Sequence, residues 1–189
     1  MSKVSTSDFR NGLVLDLDGE LYSITEFQHV KPGKGGAFVR TKLKGIVNEK
    51  NIDKTFRSGE NVESVRVERR EYQYLYNDGQ LYFFMNNDTY EQIPVNPSQV
   101  NRKDYLVDGH TCTLYFNADE ESVLYAEPMD QIEVTIENTD PGVRGDTAQG
   151  GSKPATLESG AVVQVPLFIN EGEKVRVDTR TGEYLERAK

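Results

Sequence analysis

Tyr72-Gln-Tyr-Leu-Tyr-Asn-Asp-Gly79-Gln-Leu-Tyr-Phe-Phe-Met85 is the stretch that decides the fold class. Two runs rich in aromatic and aliphatic side chains flank Asn77-Asp78-Gly79, and Asp-Gly between such runs is a strong short-range hairpin signal. The same grammar recurs on both sides. Leu13–Leu17 and Glu20–Ile24 flank Asp18-Gly19, and near the C-terminus Lys174–Asp178 and Glu183-Tyr184-Leu185 flank Thr179-Arg180-Thr181-Gly182. Helical periodicity is weak, and only Pro94–Val100 predicts a short helix, with Asn96 or Ser98 as its cap. Many short strands at close spacing imply small β-barrels or sandwiches rather than one large sheet. Breaks near Glu63 and Pro128 divide the chain into units 1–64, 65–128 and 129–189. A unit of about 60 residues buries only ~60% of its unfolded surface, so a packed interface between units is expected.

Charge separates these units. The 189-residue chain carries a net charge of −9, yet residues 1–64 hold ten Lys and Arg against nine Asp and Glu. Residues 65–128 hold five against eleven, and residues 129–189 seven against eleven. An acidic chain is a poor coat for nucleic acid, so contact with RNA is expected only through local basic patches. One cysteine, Cys112, excludes an intramolecular disulfide and fits a reducing compartment. It lies in a strand pattern that predicts burial rather than reactivity. No run approaches the ~18 apolar residues needed to span a membrane, so the chain reads as soluble and cytoplasmic. His29 and His110 stand apart with no Cys/His cluster, which predicts no metal site.

From Phe27 to Asn48 there is no Asp or Glu, and at the centre of that stretch lies Lys31-Pro-Gly-Lys34-Gly-Gly36. Ile24–Lys31 and Ala37–Lys44 read as its flanking strands, with arms of roughly 26 Å that would carry the turn clear of a small barrel. Alternation places Phe38, Arg40, Lys42 and Lys44 on one face, and Val39, Thr41 and Leu43 on the other. Gly33, Gly35 and Gly36 permit positive φ and close approach of a partner, while Pro32 stiffens the entry. Lys34 is thus presented to something negatively charged. The plainer reading is a solvated hairpin whose lysines keep an edge strand soluble. This is not a phosphate-binding GxxxxGK[ST] loop: Gly35 follows Lys34, and the frame does not fit.

KPGKGG, Tyr74-Leu-Tyr-Asn-Asp-Gly79, and the run from Asp140 through Thr147 and Gly151 to Ile169 together resemble the bacterial elongation factor P family. The resemblance spans the chain from Asp8-Phe9-Arg10 to Thr181-Gly182-Glu183-Tyr184. It implies an all-β, L-shaped monomer of three small barrels: an SH3-like (KOW-type) domain over 1–64 and OB-folds over 65–128 and 129–189. The implied partner is the ribosome, both subunits, with peptidyl-tRNA. There Lys34, at the position that a lysine-modifying enzyme extends in many members, reaches the tRNA CCA end and relieves stalling at consecutive prolines. Lys31, Pro32, Gly33, Gly35, Gly36, Arg40, Lys42 and Lys44 would form the RNA-binding loop and rail. By the same resemblance Gly145, Asp146 and Thr147 approach the exit-site codon of the mRNA, and Tyr184 and Arg187 the peptidyl-tRNA and small subunit. Their plainer readings are a tight turn capped by Asp146, and a strand tyrosine beside a surface arginine. The acidic third unit argues against the two-domain eukaryotic and archaeal counterpart, and Lys34 against relatives with arginine at the tip. No cofactor and no catalytic role are implied, since no nucleophile–base or metal constellation is present. The competing class is a single-stranded nucleic-acid-binding OB-fold protein, which the tyrosines favour and the acidic second and third units oppose.

Overall fold

The computed structural model describes residues 2–142 and 151–188. Strands β1 (Ser2–Ser5), β2 (Val14–Leu17), β3 (Glu20–Val30), β4 (Phe38–Gly45), β5 (Asn51–Arg57) and β6 (Asn61–Val65) form one antiparallel sheet, ordered β1-β6-β2-β3-β4-β5. The β2–β3 turn uses left-handed backbone at Asp18 and Gly19, the geometry a two-residue hairpin requires. Alternating side chains point inward and build a core of Phe9, Leu15, Tyr22, Ile24, Val39, Leu43, Phe56 and Val62. Burying each of the larger ones stabilises by about 1.5–3 kcal/mol. Phe9 meets Phe56 edge-on at 5.3 Å.

A second sheet holds β7 (Val67–Asn77), β8 (Tyr82–Asn86), β9 (Gln92–Val95), β10 (Thr111–Asn117) and β11 (Ser122–Pro128), ordered β11-β10-β7-β8-β9. The β7–β8 hairpin pairs Tyr72 with Asn86 and Asn77 with Tyr82, with a bulge between Tyr74 and Tyr76. Cys112 on β10 is 1% exposed, and burial pushes its thiol up to about 12. The predicted short helix is only a 3-10 turn, Pro97–Gln99, and Asn96 in its cap position makes no side-chain capping bond.

The last five strands, β12 (Gln131–Thr139), β13 (Ser152–Leu157), β14 (Val162–Pro166), β15 (Lys174–Asp178) and β16 (Glu183–Arg187), close into a barrel ordered β12-β13-β14-β16-β15. Its core is aliphatic, from Ile132, Val134 and Ile136 to Val175 and Val177. Among the described residues, helical structure is limited to three 3-10 turns, so the fold is all-β. The chain divides into two compact units: residues 2–70 with 115–125, and 71–114 with 126–142 and 151–188. Among the described residues, no helix is long and apolar enough to cross a membrane.

Candidate functional site

The basic hairpin forms as its alternation dictates. β3 and β4 pair from Tyr22 with Gly45 out to Val30 with Phe38. Between Ile24 and Glu26 the register shifts, and Thr25 Oγ1 donates to the Lys42 carbonyl at 3.0 Å. β4 reads alternately outward and inward, with Val39, Thr41 and Leu43 buried and Arg40, Lys42 and Lys44 exposed. The β4 arm does not stand free, contrary to the expectation of a long projecting ribbon, while among the described residues β3 beyond Glu26 pairs with β4 alone. β5 pairs with β4 from Lys44 out to Phe38, and Ser58 N donates to the Ala37 carbonyl at 3.0 Å. Only Lys31–Gly36 extends beyond the sheet, and every residue in it is exposed.

Within that turn the three glycines are not equivalent. Gly35 has φ +116, a left-handed value that penalises any side chain. Gly33 and Gly36 lie outside that region, and a Cβ on either would meet nothing within 4 Å. Their value at the tip is the open space they leave around Lys34. Among the described residues nothing pairs with Lys34 Nζ.

The rail beside the tip is less uniform than alternation suggests. Lys42 lies across from Glu26 on β3 and Asp53 on β5, and its Nζ pairs with Glu26 Oε2 at 2.8 Å. The hydrogen bond to Glu26, then the charge of that carboxylate, raise the Lys42 ammonium above its ordinary pKa. Lys42 keeps its charge, and a surface partner offsets part of it. Arg40 lies over the Phe38 ring at 5.4 Å, which fixes its guanidinium while leaving it open to solvent. Lys44 faces Ser23 and Asn51, neither of them charged. Arg40, Lys44, Lys31 and Lys34 are the cations this face can offer to a phosphate.

In the barrel, Tyr184 and Arg187 share a face for a reason that sequence spacing hides. Three residues apart, they would point to opposite sides of a regular strand. A bulge opposite Arg176/Val177 pairs Tyr184 with Val177 and Arg187 with Val175, whose side chains both point inward. Tyr184 packs against the barrel core. Arg187 forms an ion pair with Glu173 at 2.9 Å, donates from Nη2 to Glu173 Oε1 at 3.4 Å, and lies 4.8 Å from the Phe168 ring centroid. Gly145, Asp146 and Thr147 lie outside the described residues.

Sequence reasoning missed the anchors on either side of that segment. Lys153 occupies an inward position on β13, 6% exposed, and its Nζ donates to the Asp140 carbonyl. A Cβ on Gly142 would sit 2.5 Å from the Leu167 carbonyl oxygen, so the backbone there packs as only glycine allows. The inward position of Lys153 was legible from its alternation with Ala155 and Leu157; its carbonyl partner was not.

Comparison with known proteins places this geometry among relatives. Residues 5–62 match the elongation factor P KOW-like domain, residues 67–124 the elongation factor P OB domain, and residues 132–187 the elongation factor P C-terminal domain. The chain is 52% identical over 185 residues to elongation factor P of a Thermoanaerobacter species, covering 97% of this chain and 99% of that one. It is 53% identical over 184 residues to elongation factor P of Saccharopolyspora erythraea, covering 97% of each. Among solved structures, it shares its fold with eukaryotic translation initiation factor 5A from Methanococcus jannaschii. That match has a TM-score of 0.52 and 22% identity over 66% of this chain and 93% of the other. An eif-5a family protein from Naegleria fowleri gives 0.53 and 17%, over 66% and 96%. Both neighbours are almost fully covered while part of this chain extends beyond them.

Proposed function

The chain belongs to the elongation factor P family and is on that ground a translation elongation factor; we propose that it binds the ribosome beside peptidyl-tRNA and uses Lys34 to position the CCA end. The observation that carries this reading is the isolation of Lys34. Its turn projects beyond a sheet in which β4 is held between β3 and β5, and among the described residues its ammonium has no partner. A rigid base and an unneutralised tip suit a residue that must find its partner outside the protein.

Positioning is chemistry enough. Proline is a poor nucleophile, and holding the acceptor end in a reactive geometry removes entropy from the barrier without any group donating a proton. The ribosome supplies the catalysis, and this chain acts as an aligner rather than an enzyme. Lys31, Arg40 and Lys44 contact the RNA backbone around the tip, with Lys42 a lesser contributor because Glu26 already holds it. Tyr184 and Arg187 serve the small-subunit side, and Gly145, Asp146 and Thr147 the exit-site codon. The division into domains 1–64, 65–128 and 129–189 belongs to the same reading, as do a cytoplasmic location and an enzyme that extends Lys34.

The test is translation of a reporter with three consecutive prolines. Wild-type chain restores full-length product, and Lys34→Ala at equal concentration returns it close to the factor-free level. Undiminished relief by Lys34→Ala removes Lys34 from its central role. Intact mass of the natively produced chain reports the extension. Tighter binding to free single-stranded RNA than to ribosomes at physiological salt would favour the OB-fold alternative.

A further inference from the structure

The geometry points to Arg102 as a positioning residue that locks the closed barrel to the segment 97–107. In this way it fixes where the barrel's own contact residues stand relative to residues 71–114. The functional half of this inference rests on the ribosomal reading above; the mechanical half does not.

Arg102 sits in a loop whose composition, Asn-Arg-Lys-Asp, reads as plain solvated turn. Its backbone is left-handed, with φ 50 and ψ 36, an uncommon state for a residue with a side chain. Just before it, Val100 bridges Ala126 in parallel and Asn101 N donates to the Ala126 carbonyl at 2.9 Å. That pairing lays the loop along the last residues of β11. The side chain is only 16% exposed, and its acceptors lie at the end of β11, in the connection to β12 and in the barrel. One guanidinium nitrogen meets Glu127 Oε2 at 2.9 Å and donates to the Pro128 carbonyl at 3.3 Å. The other donates to Thr179 Oγ1 at 2.7 Å and to Asp130 Oδ1 at 3.2 Å.

Thr179 completes the fastening. It is 3% exposed, its hydroxyl lies 2.9 Å from the Met129 carbonyl, and its N–H donates to the Asp130 carbonyl at 2.8 Å. Three residues after Arg102, Tyr105 packs with Val107 against the barrel core, and its hydroxyl lies 2.9 Å from where a Cβ on Gly182 would stand. A planar fork with fixed donor directions holds four acceptors at once, which a flexible ammonium cannot do. An arginine invested this way in a short connection makes a hinge into a joint. Loops that only need solubility do not bury a guanidinium.

The experiment compares ¹⁵N relaxation of barrel amides with those of residues 71–114 in the full chain. In the wild type, both report one rotational correlation time. In Arg102→Ala, and in Thr179→Val, which preserves side-chain volume, the barrel keeps its chemical-shift pattern but tumbles separately. Arg102→Lys behaves like the alanine variant despite keeping its charge. In the triple-proline assay, the concentration for half-maximal relief rises about tenfold, because only a fraction of free molecules then holds the competent arrangement. A single correlation time in both Arg102→Ala and Thr179→Val overturns the lock. Separate tumbling with unchanged relief overturns its functional consequence. A wild type that gives no relief overturns the ribosomal reading instead, while the tumbling comparison still decides the lock.

Discussion

Lys34 and Arg102 carry the same formal charge under opposite treatment. Lys34 stands on a turn exposed from Lys31 to Gly36, with no partner among the described residues. Arg102 is mostly buried and holds two carboxylates, a hydroxyl and a carbonyl. The fold spends its acceptors where a cation must hold the chain together and withholds them where a cation must meet something else. Lys42 falls between, exposed yet claimed by Glu26, and it interrupts the run of offered charge between Arg40 and Lys44.

The sharpest way to break this contrast is to remove each cation and measure stability by urea denaturation. Arg102→Ala removes the ion pair to Glu127, whose side chain is only 19% exposed, while Asp130 retains solvent. A loss of about 2 kcal/mol is expected, below the full cost for a deeply buried pair. Lys34→Ala is expected to change stability by less than about 0.5 kcal/mol, as a surface change without partners. Equal losses would mean that Lys34 has a structural role the contrast denies.

Glycines at the two places give a smaller version of the same test. Gly182→Ala combines φ +74 with a contact to Tyr105 at 2.9 Å, and should cost about 1 kcal/mol in thermal or urea unfolding. Gly33→Ala meets open space without left-handed backbone and should be close to neutral.

The smallest effect concerns acid. Hydrogen bonds from the Arg180 side chain and backbone hold the Asp178 carboxyl down to about 2, against an ordinary 3.8. A lowered folded-state value stabilises the fold above the unfolded value, and that stabilisation is lost as pH falls through the folded one. The wild type should therefore lose this contribution between pH 4 and 2, and Asp178→Asn should flatten that part of the acid limb.

Much of this architecture was legible in advance because strand grammar is local. Asp18-Gly19, Asn77-Asp78-Gly79 and the Thr179–Gly182 turn all fall between paired strands, and the β4 alternation separates Val39 and Leu43 from Arg40 and Lys44 as read. What escaped was set by residues far apart in the chain. Arg102 meets Thr179 across 77 positions, and no local pattern distinguishes it from a solvated loop arginine. The bulge that aligns Tyr184 with Arg187 depends on the partner strand β15, and spacing alone does not reveal it. The freedom of the hairpin arms was overestimated because β5 as a second neighbour to β4 is a tertiary fact, not a sequence one.

The buried thiol of Cys112 has a practical consequence. Its exposure of 1% and its raised pKa leave it inert to mild alkylation. In Lys34→Cys the introduced side chain is then the single reactive thiol in the folded chain. Reaction with haloalkylamines of graded length would rebuild an amine at the tip one methylene at a time. The natural sulfur, sealed in β10, turns the whole molecule into a ruler for the reach that its partner demands.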